Sequence, residues 1–346
     1  MIKKLLNLNR CLFASRHGII DIDYNHRIKK LILVADNKIS IWDSESWKCL
    51  DSIDKRNVRV CKYSQDGKKF IIGRKDGFEV YDSKSMQPIL SLNGKEYSMA
   101  ELCLFSHNDN YLTYVDRTTL NLSIINTKTW QFITPQINYP STIKSIAFSD
   151  DDKYLVTTHG DYINILETKT WDCIKTIKVP THNISTALLA RNNIISGGYD
   201  GVIRIWDFDN GNLIDSICNH TKGITILKYD TDLGLISASY DGSVIIHGFK
   251  FGYLKNLENT KIGNDSHKNM IYTMKLSPNR KYLASGSYDG EIKIWDMNTL
   301  HCIATLKGHT HSIYDLCFSP SEKYLLSSSN EIKIWRIGTW ECTNTF

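Results

Sequence analysis

The sequence predicts an all-β protein built from eight copies of one four-stranded antiparallel unit. Two observations carry this. The first is the stretch from His267 to His309, which holds four short β signals in a row. Met270 to Leu276 alternates and stops at the turn Ser277-Pro278-Asn279, and Tyr282 to Ser287 is apolar and small, ending at Asp289-Gly290. Glu291 to Trp295 alternates strictly, and His301 to Leu306 follows one more turn. The second observation is recurrence. Third strands end at Trp42, Tyr81, Ile125, Leu166, Trp206, His247, Trp295 and Trp335, with spacings of 39, 44, 41, 40, 41, 48 and 40 residues. A period near 40 held through the chain marks a repeat architecture. A second marker runs in phase: Ser46-Trp47, Thr129-Trp130, Thr170-Trp171, Thr299-Leu300 and Thr339-Trp340 follow the third strands.

Gly-His, about twenty residues, Ser-Tyr-Asp-Gly, then Ile-Trp-Asp resembles the WD40 β-propeller signature. The resemblance implies that each unit is one blade, that eight four-stranded blades close into a single ring around a channel, and that residues 1–346 form one domain. Isoleucines on the third strands (Ile39, Ile41, Ile203, Ile205, Ile292, Ile294, Ile332, Ile334) are expected between blades. An indole can only donate a hydrogen bond, a hydroxyl can donate and accept, and a histidine can pass the chain on to a carboxylate. A structural relay is therefore expected in blade 5 (His182, Ser196, Asp200, Trp206) and blade 7 (His267, Ser285, Asp289, Trp295). Blade 6 has His220, Ser237 and Asp241 but carries His247 where Trp should stand, a buried neutral histidine bonded to Ser237. Blades 2, 3 and 4 replace Trp by Tyr81, Ile125 and Leu166, which predicts that they are held mainly by packing and that Trp295→Phe costs more stability than Tyr81→Phe.

Hydrophobic content of 42% suits a buried core, and no run approaches the roughly 20 apolar residues of a membrane span. Lys3 and Lys4 precede Leu5-Leu6, but Asn7, Asn9 and Arg10 interrupt the apolar stretch, so no signal peptide is expected. Cys11 to Gly18 mimics Cys302 to His309 and reads as an outer strand, in competition with Glu341 to Phe346 for the edge that closes the ring. The longest connections, Thr129 to Ser141 and Phe249 to Asn269, should be surface excursions. Nine cysteines without a Cys-x-x-Cys pair read as free thiols in a reducing compartment, cytoplasm or nucleus.

Motifs for a phosphate loop, a nucleophile elbow or a zinc helix are missing, and no cofactor or metal is expected; His309 and His311 read as relay and loop residues. The expected function is a non-catalytic scaffold that binds partner proteins or peptides through its top face. In the WD40 family the residue before the turn Asp lies on that face, and here it is Tyr199, Tyr240 and Tyr288. The family's other top-face position, near the start of the inner strand, holds Ile20, Arg59, Glu101, Lys144, Ser185, Thr225, Tyr272 and Tyr314. Tyrosine offers large area with a polar tip, suited to an interface. The expected contact set is Tyr199, Tyr240, Tyr288, Tyr272, Tyr314, Met270, Arg59 and Lys144. Two alternatives stand beside it. Residues 1–75 carry 17 Lys and Arg against 8 Asp and Glu, densest in blade 2 at Arg56, Arg59, Lys62, Lys68, Lys69, Arg74 and Lys75, which could bind RNA or an acidic partner. An enzyme or ligand-sensor site in the channel is the other.

Overall fold

A computed structural model describes residues 19–345 apart from 26, 36–37, 44–48, 75–76, 94–99, 117–120, 134, 136, 138, 181–183, 231–232, 248–258, 262–265 and 320. The described strands form eight four-stranded antiparallel sheets, each built from four strands consecutive in sequence. They are the eight blades. In blade 7 the strands are Ile271–Leu276, Tyr282–Ser287, Ile292–Asp296 and His301–Leu306, in order from the channel outwards.

Alternation on the third strand has meaning on both sides, because each blade is sandwiched between two others. Ile292 and Ile294 pack with Ile313, Leu316 and Leu325 of blade 8, while Trp295, on the opposite face, packs with Ile236, Val244 and Ile246 of blade 6. Ile39 and Ile41 meet Val58 and Ile72 of blade 2, and Ile203 and Ile205 meet Ile224 and Leu235 of blade 6. Each such side chain, removed from water, contributes about 1.5–3 kcal/mol. Blade 8 has its own outer strand, Cys342–Thr345, and joins blade 1 through Leu326, Ile332 and Ile334 against Leu31, Leu33 and Trp42. The segment from Cys11 to Gly18 lies outside the described residues, as do His182, Ser46 and Trp47.

The relay is present where it is described. In blade 7 the Trp295 indole donates to Ser285 Oγ at 3.0 Å, His267 Nε2 lies 2.8 Å from the same oxygen, and His267 Nδ1 is 3.4 Å from Asp289. Burial raises the Asp289 carboxyl, but His267 and the backbone N–H groups of Glu291 and Lys268 outweigh it and bring the pKa down to about 2. Blade 6 keeps the arrangement: His220 Nε2 is 2.7 Å and His247 Nε2 2.9 Å from Ser237 Oγ, so the fully buried His247 occupies the indole's place. In blade 5 Trp206 donates to Ser196 at 2.9 Å, but Asp200 pairs with Arg204 at 2.7 Å, a partner the sequence pattern did not suggest.

Blades 1, 2 and 4 lack the full motif but keep a side-chain hydrogen bond at its place, which in blades 2 and 4 adds to the packing expected to hold them. In blade 1 the relay hydroxyl position is Leu33, and its cross-strand partner is Ser40, whose Oγ accepts from the Trp42 indole at 2.8 Å. In blade 2 the corresponding pair is Ile72 and Glu79, and the Tyr81 hydroxyl donates to Glu79 at 2.6 Å. Glu79 also pairs with Lys55 at 3.0 Å and Arg74 at 3.8 Å. The polar partner has crossed from the second strand to the third. In blade 4 Tyr139, buried in the connection expected to lie on the surface, places its hydroxyl 3.1 Å from Thr157 Oγ1. Hydrogen bonds to charged groups are worth about 1.5–3 kcal/mol, so Tyr81→Phe is now expected to destabilise about as much as Trp295→Phe. Thermal midpoints of the two variants check this; a Tyr81→Phe shift under a third of the Trp295→Phe shift would show that Glu79 is served without Tyr81.

Two devices tie neighbouring blades together at several joints, among them blades 2 to 3, 3 to 4 and 7 to 8. The large residue of the Thr-Trp marker adopts a left-handed conformation, with φ of 58° at Trp130, 64° at Trp171 and 57° at Trp340. That is costly for a bulky side chain, and it directs Trp171 against Tyr111 of blade 3 (ring centroids 4.9 Å) and Trp340 against Tyr282 of blade 7 (5.2 Å). In the turn after the inner strand, Asp152 accepts the N–H groups of His107 (2.9 Å) and Asn108 (2.7 Å) from the preceding blade, and Asp109 does the same for Gln65 (2.6 Å) and Asp66 (2.7 Å).

The inner strands leave an unpaired edge around the channel, and neighbouring blades blunt it. Asp21 accepts from the Cys61 N–H at 2.8 Å and Asp23 from the Tyr63 N–H at 2.7 Å. The fifth residue of the inner strand in blades 1 to 7, and the third residue of the shorter Asp315–Phe318 strand in blade 8, form a half-buried level in the wall: Asp23, Lys62, Leu104, Ala147, Leu188, Lys228, Lys275 and Cys317. Blades 3 to 5 are apolar at this level, and the other blades carry the charge and a thiol.

Candidate functional site: a tyrosine-lined cleft on the top face

Tyr199, Tyr240 and Tyr288 stand at the first position of tight turns that need glycine two residues on. Gly201 has φ of 79°, and a Cβ there would come within 2.8 Å of the His220 and Lys222 carbonyl oxygens of the next blade's entry loop. The Tyr240 N–H donates to the Gly223 carbonyl and the Tyr288 N–H to the Met270 carbonyl, both at 2.9 Å. Tyr240 and Tyr288 are thereby fixed to the loops that precede their own blades.

The second set of positions has a structural cause that the sequence does not display. In blades 1 to 7 the register of the inner strand shifts across one unpaired residue: Ile20, Arg59, Glu101, Lys144, Ser185, Thr225 and Tyr272. A β-bulge re-aims the extra residue away from the ladder, and Ser185, Thr225 and Tyr272 of this set line one cleft. Lys144 is exposed; the side chain of Arg59 lies outside the described residues.

The tyrosines come together on blades 5 to 7. Tyr199 stacks on Tyr240 with ring centroids 6.0 Å apart, and Tyr272 lies 6.0 Å from Tyr288. Tyr199, Tyr272, Tyr288 and Tyr314 are 44–50% exposed, far more than aromatic rings in a settled core. Tyr240 is half-buried between its neighbours, and its phenol is raised above the ordinary value by burial and by Tyr199 and Tyr272 beside it. Between these rings lies a cleft of about 190 Å³ lined by Ser185, Tyr199, Ile224, Thr225, Tyr240, Met270 and Tyr272. Thr225 Oγ1 is buried in its wall with no hydrogen-bond partner among the described residues. Tyr314 stands on blade 8 outside the cleft lining. The cleft joins aromatic walls with scattered hydroxyls, the chemistry of a protein-binding hot spot.

The basic residues of blade 2 do not share a face. Lys62 points into the channel, 3.4 Å from Asp21, and the half-buried Arg74 lies against the buried Glu79. Lys68 pairs with Asp66 at 3.2 Å, and Lys69 lies over the Trp130 ring on the bottom face at 5.8 Å. Lys75 lies outside the described residues. Among the described residues no group of three or more His, Cys, Asp or Glu is placed to hold a metal ion, and no helix is long and apolar enough to cross a membrane. His311 Nδ1 lies 2.8 Å from the Asn330 side chain, while His309 belongs to the blade 8 relay.

Comparison with known proteins agrees with this architecture. The family described as "WD domain, G-beta repeat" matches residues 171–207, 259–296 and 300–336. The chain is 33% identical over 122 residues to nuclear distribution protein nudF 1 of Talaromyces marneffei, a match covering 34% of this chain and 26% of that protein. It is 23% identical over 175 residues to human WD repeat-containing protein 3, covering 49% of this chain and 19% of that protein. With the WD repeat-containing protein 55 homolog of Dictyostelium discoideum it shares 25% identity over 177 residues, 50% of this chain and 42% of the relative. The matched stretch thus spans under half the length of each of these relatives. Among solved structures the computationally designed Ika8 protein superposes with a TM-score of 0.78 at 20% identity, covering 93% of this chain and 97% of that one, a likeness of fold.

Proposed function

We propose that this chain, a WD40-repeat β-propeller of eight blades, is a non-catalytic scaffold that holds partner proteins or peptides against the cleft on blades 5 to 7. The observation that carries the reading is the clustering of Tyr199, Tyr240 and Tyr272 around one cleft, with the exposed Tyr288 ring against Tyr272 and an unpaired hydroxyl in the wall. Rings left half in water gain by burial against a partner, and their hydroxyls give the contact direction. The dispersal of the blade 2 cations favours this over an RNA-binding face, since phosphate backbones need a continuous basic track. All eight described cysteines are free, which supports a reducing compartment, cytoplasm or nucleus.

The test is a double replacement, Tyr240→Ala with Tyr288→Ala, followed by recovery of bound proteins from the parent extract. Recovery should fall by an order of magnitude or more, about 2 kcal/mol per hot-spot anchor, with the thermal midpoint little changed because these are turn side chains at the surface. Charge reversal at Lys68 and Lys69 should leave recovery intact. The opposite pattern, with partners kept by the tyrosine variant and lost by the lysine reversals, would move the working surface to the basic blades.

A further inference from the structure

Around the tyrosine cleft the cations are free and the acids are not. Lys222 and Lys268 stand in the entry loops of blades 6 and 7, beside the tyrosine turns. A Cβ on Gly201 of the Tyr199 turn would come within 2.8 Å of the Lys222 carbonyl oxygen, and one on the following Gly223 would lie 2.9 Å from the Tyr199 Cα. The Lys268 N–H donates to Asp289 of the Tyr288 turn at 2.8 Å, and a Cβ on Gly242 of the Tyr240 turn would lie 2.9 Å from the carbonyl oxygen of the next residue, Asn269. Lys144 is a third cation, at the bulge position of blade 4 that in blade 5 is the cleft residue Ser185. All three lysines are exposed, and none has an ion-pair partner among the described residues. The carboxylates of the same turns are committed. Asp200 pairs with Arg204 at 2.7 Å, Asp241 lies 3.3 Å from His220 and accepts the Thr221 and Ser243 N–H groups at 2.8 Å, and Asp289 accepts from Lys268 and Glu291.

Size and lining narrow the occupant further. A volume of about 190 Å³ is below the roughly 300–1,000 Å³ of small-molecule pockets, and it leaves room for one amino-acid side chain. Tyrosine faces attract cations, but no carboxylate lines the cleft and three unpaired ammonium groups stand around it, so an apolar side chain fits better. Ser185 Oγ donates to the Gly197 carbonyl at 2.9 Å, which leaves the Thr225 hydroxyl to meet a backbone polar group of the ligand. We propose that the cleft takes an acidic peptide segment of a partner protein, with one apolar side chain between Tyr199, Tyr240 and Tyr272 and flanking Asp or Glu side chains on Lys222, Lys268 and Lys144. The inference rests on the scaffold reading and adds the partner's chemistry to it. Exposed ion pairs are weak singly, so three together should shift affinity about tenfold.

The full chain is titrated by fluorescence anisotropy at pH 7 against fluorescein-labelled Gly-Glu-Glu-Leu-Glu-Glu-Gly and against the matched peptide with Lys in place of Glu. The acidic peptide should saturate and bind at least tenfold more tightly than the basic one in about 0.1 M sodium chloride. The difference should shrink at about 1 M, where the Debye length has fallen from about 10 to about 3 Å. Lys222→Glu with Lys268→Glu should abolish the preference, Lys222→Gln with Lys268→Gln should weaken it, and Lys68→Glu with Lys69→Glu should leave it in place. Tyr240→Ala should weaken binding of the acidic peptide, as should Gly in place of its central Leu. A preference that survives reversal of Lys222 and Lys268 would overturn the proposal. Equal affinity for both peptides, lowered for both by Tyr240→Ala, would overturn the acidic partner and leave the cleft as the scaffold's surface. An acidic preference that Tyr240→Ala does not touch would overturn the anchored mode and the cleft with it. No saturation by either peptide up to about 1 mM would also overturn the proposal, and partner recovery by the variant with Tyr240→Ala and Tyr288→Ala then judges the scaffold reading separately.

Discussion

Replacement of Asp152 by Ala is expected to lower the unfolding free energy by about 3 kcal/mol, because it leaves donors of a neighbouring blade without an acceptor. The Asp152 side chain is only 4% exposed. It accepts the backbone N–H groups of His107 and Asn108, and His107 Nδ1 lies 2.8 Å from the same carboxylate. Losing the acceptor for two backbone donors costs about 1–3 kcal/mol each, reduced here because their own turn is partly open to water. Asp152 also holds φ at 55°, which Asp tolerates better than Ala. Asp152→Asn keeps one carbonyl oxygen and should lose about half as much. Urea unfolding of the two variants measures both; a loss below about 0.5 kcal/mol for Asp152→Ala would mean that water replaces the carboxylate freely. Glu322 serves the Asn279 N–H at 2.5 Å in the same way, so the effect belongs to a recurring joint between blades.

Why these joints escaped the sequence reading is a matter of distance along the chain. Asp152 and His107 are 45 residues apart, and nothing local distinguishes Asp-Asp-Lys in a turn from ordinary solvated charge. The eight units were legible because strand alternation and period act locally and repeat. Ile292 and Ile294 reveal their burial by spacing alone. The relay of blades 5 to 7 was legible for the same reason, since its residues sit at fixed offsets. Its substitutes in blades 1 and 2 were hidden, because register must be known before Leu33 can be matched with Ser40, or Ile72 with Glu79. One signal was available: Tyr139 precedes Thr157 by 18 residues, the offset that separates His267 from Ser285 and His309 from Ser327.

The tyrosine turns were visible as a repeated Tyr-Asp-Gly, whereas the bulge that sets Lys144 and Tyr272 out of the ladder is one extra residue that sequence cannot show. The density of Lys and Arg in blade 2 misleads for a related reason. Strand alternation sends Lys62 to the channel and Arg74 to the buried Glu79, so closeness in sequence separates them in space.

Acidification from pH 6.5 to 4 is expected to weaken the protein through His309, and His309→Gln should remove that part of the loss. The His309 side chain is 1% exposed, with Nε2 2.6 Å from Ser327 Oγ, which also accepts the Trp335 indole N–H at 2.8 Å. Its Nδ1 is buried without a hydrogen-bond partner among the described residues, and Glu331 is 3.8 Å away. Burial and the nearby Lys333 push the imidazole down to about 4, only partly opposed by Glu331. The unfolded chain therefore takes up a proton near pH 6.5 that the folded blade refuses until about pH 4. The neutral ring's contribution is complete above 6.5 and is lost as pH falls through that window, about 3 kcal/mol in all. His159, lowered by burial, adds to the slope, while Asp21, raised by burial despite Lys62 beside it, acts in the opposite direction. The informative quantity is thus the difference between the parent protein and His309→Gln. Urea midpoints measured at half-unit intervals should converge toward acid pH, the parent losing its advantage below 5. Parallel curves from 6.5 to 4 would show that His309 is protonated inside the blade without penalty.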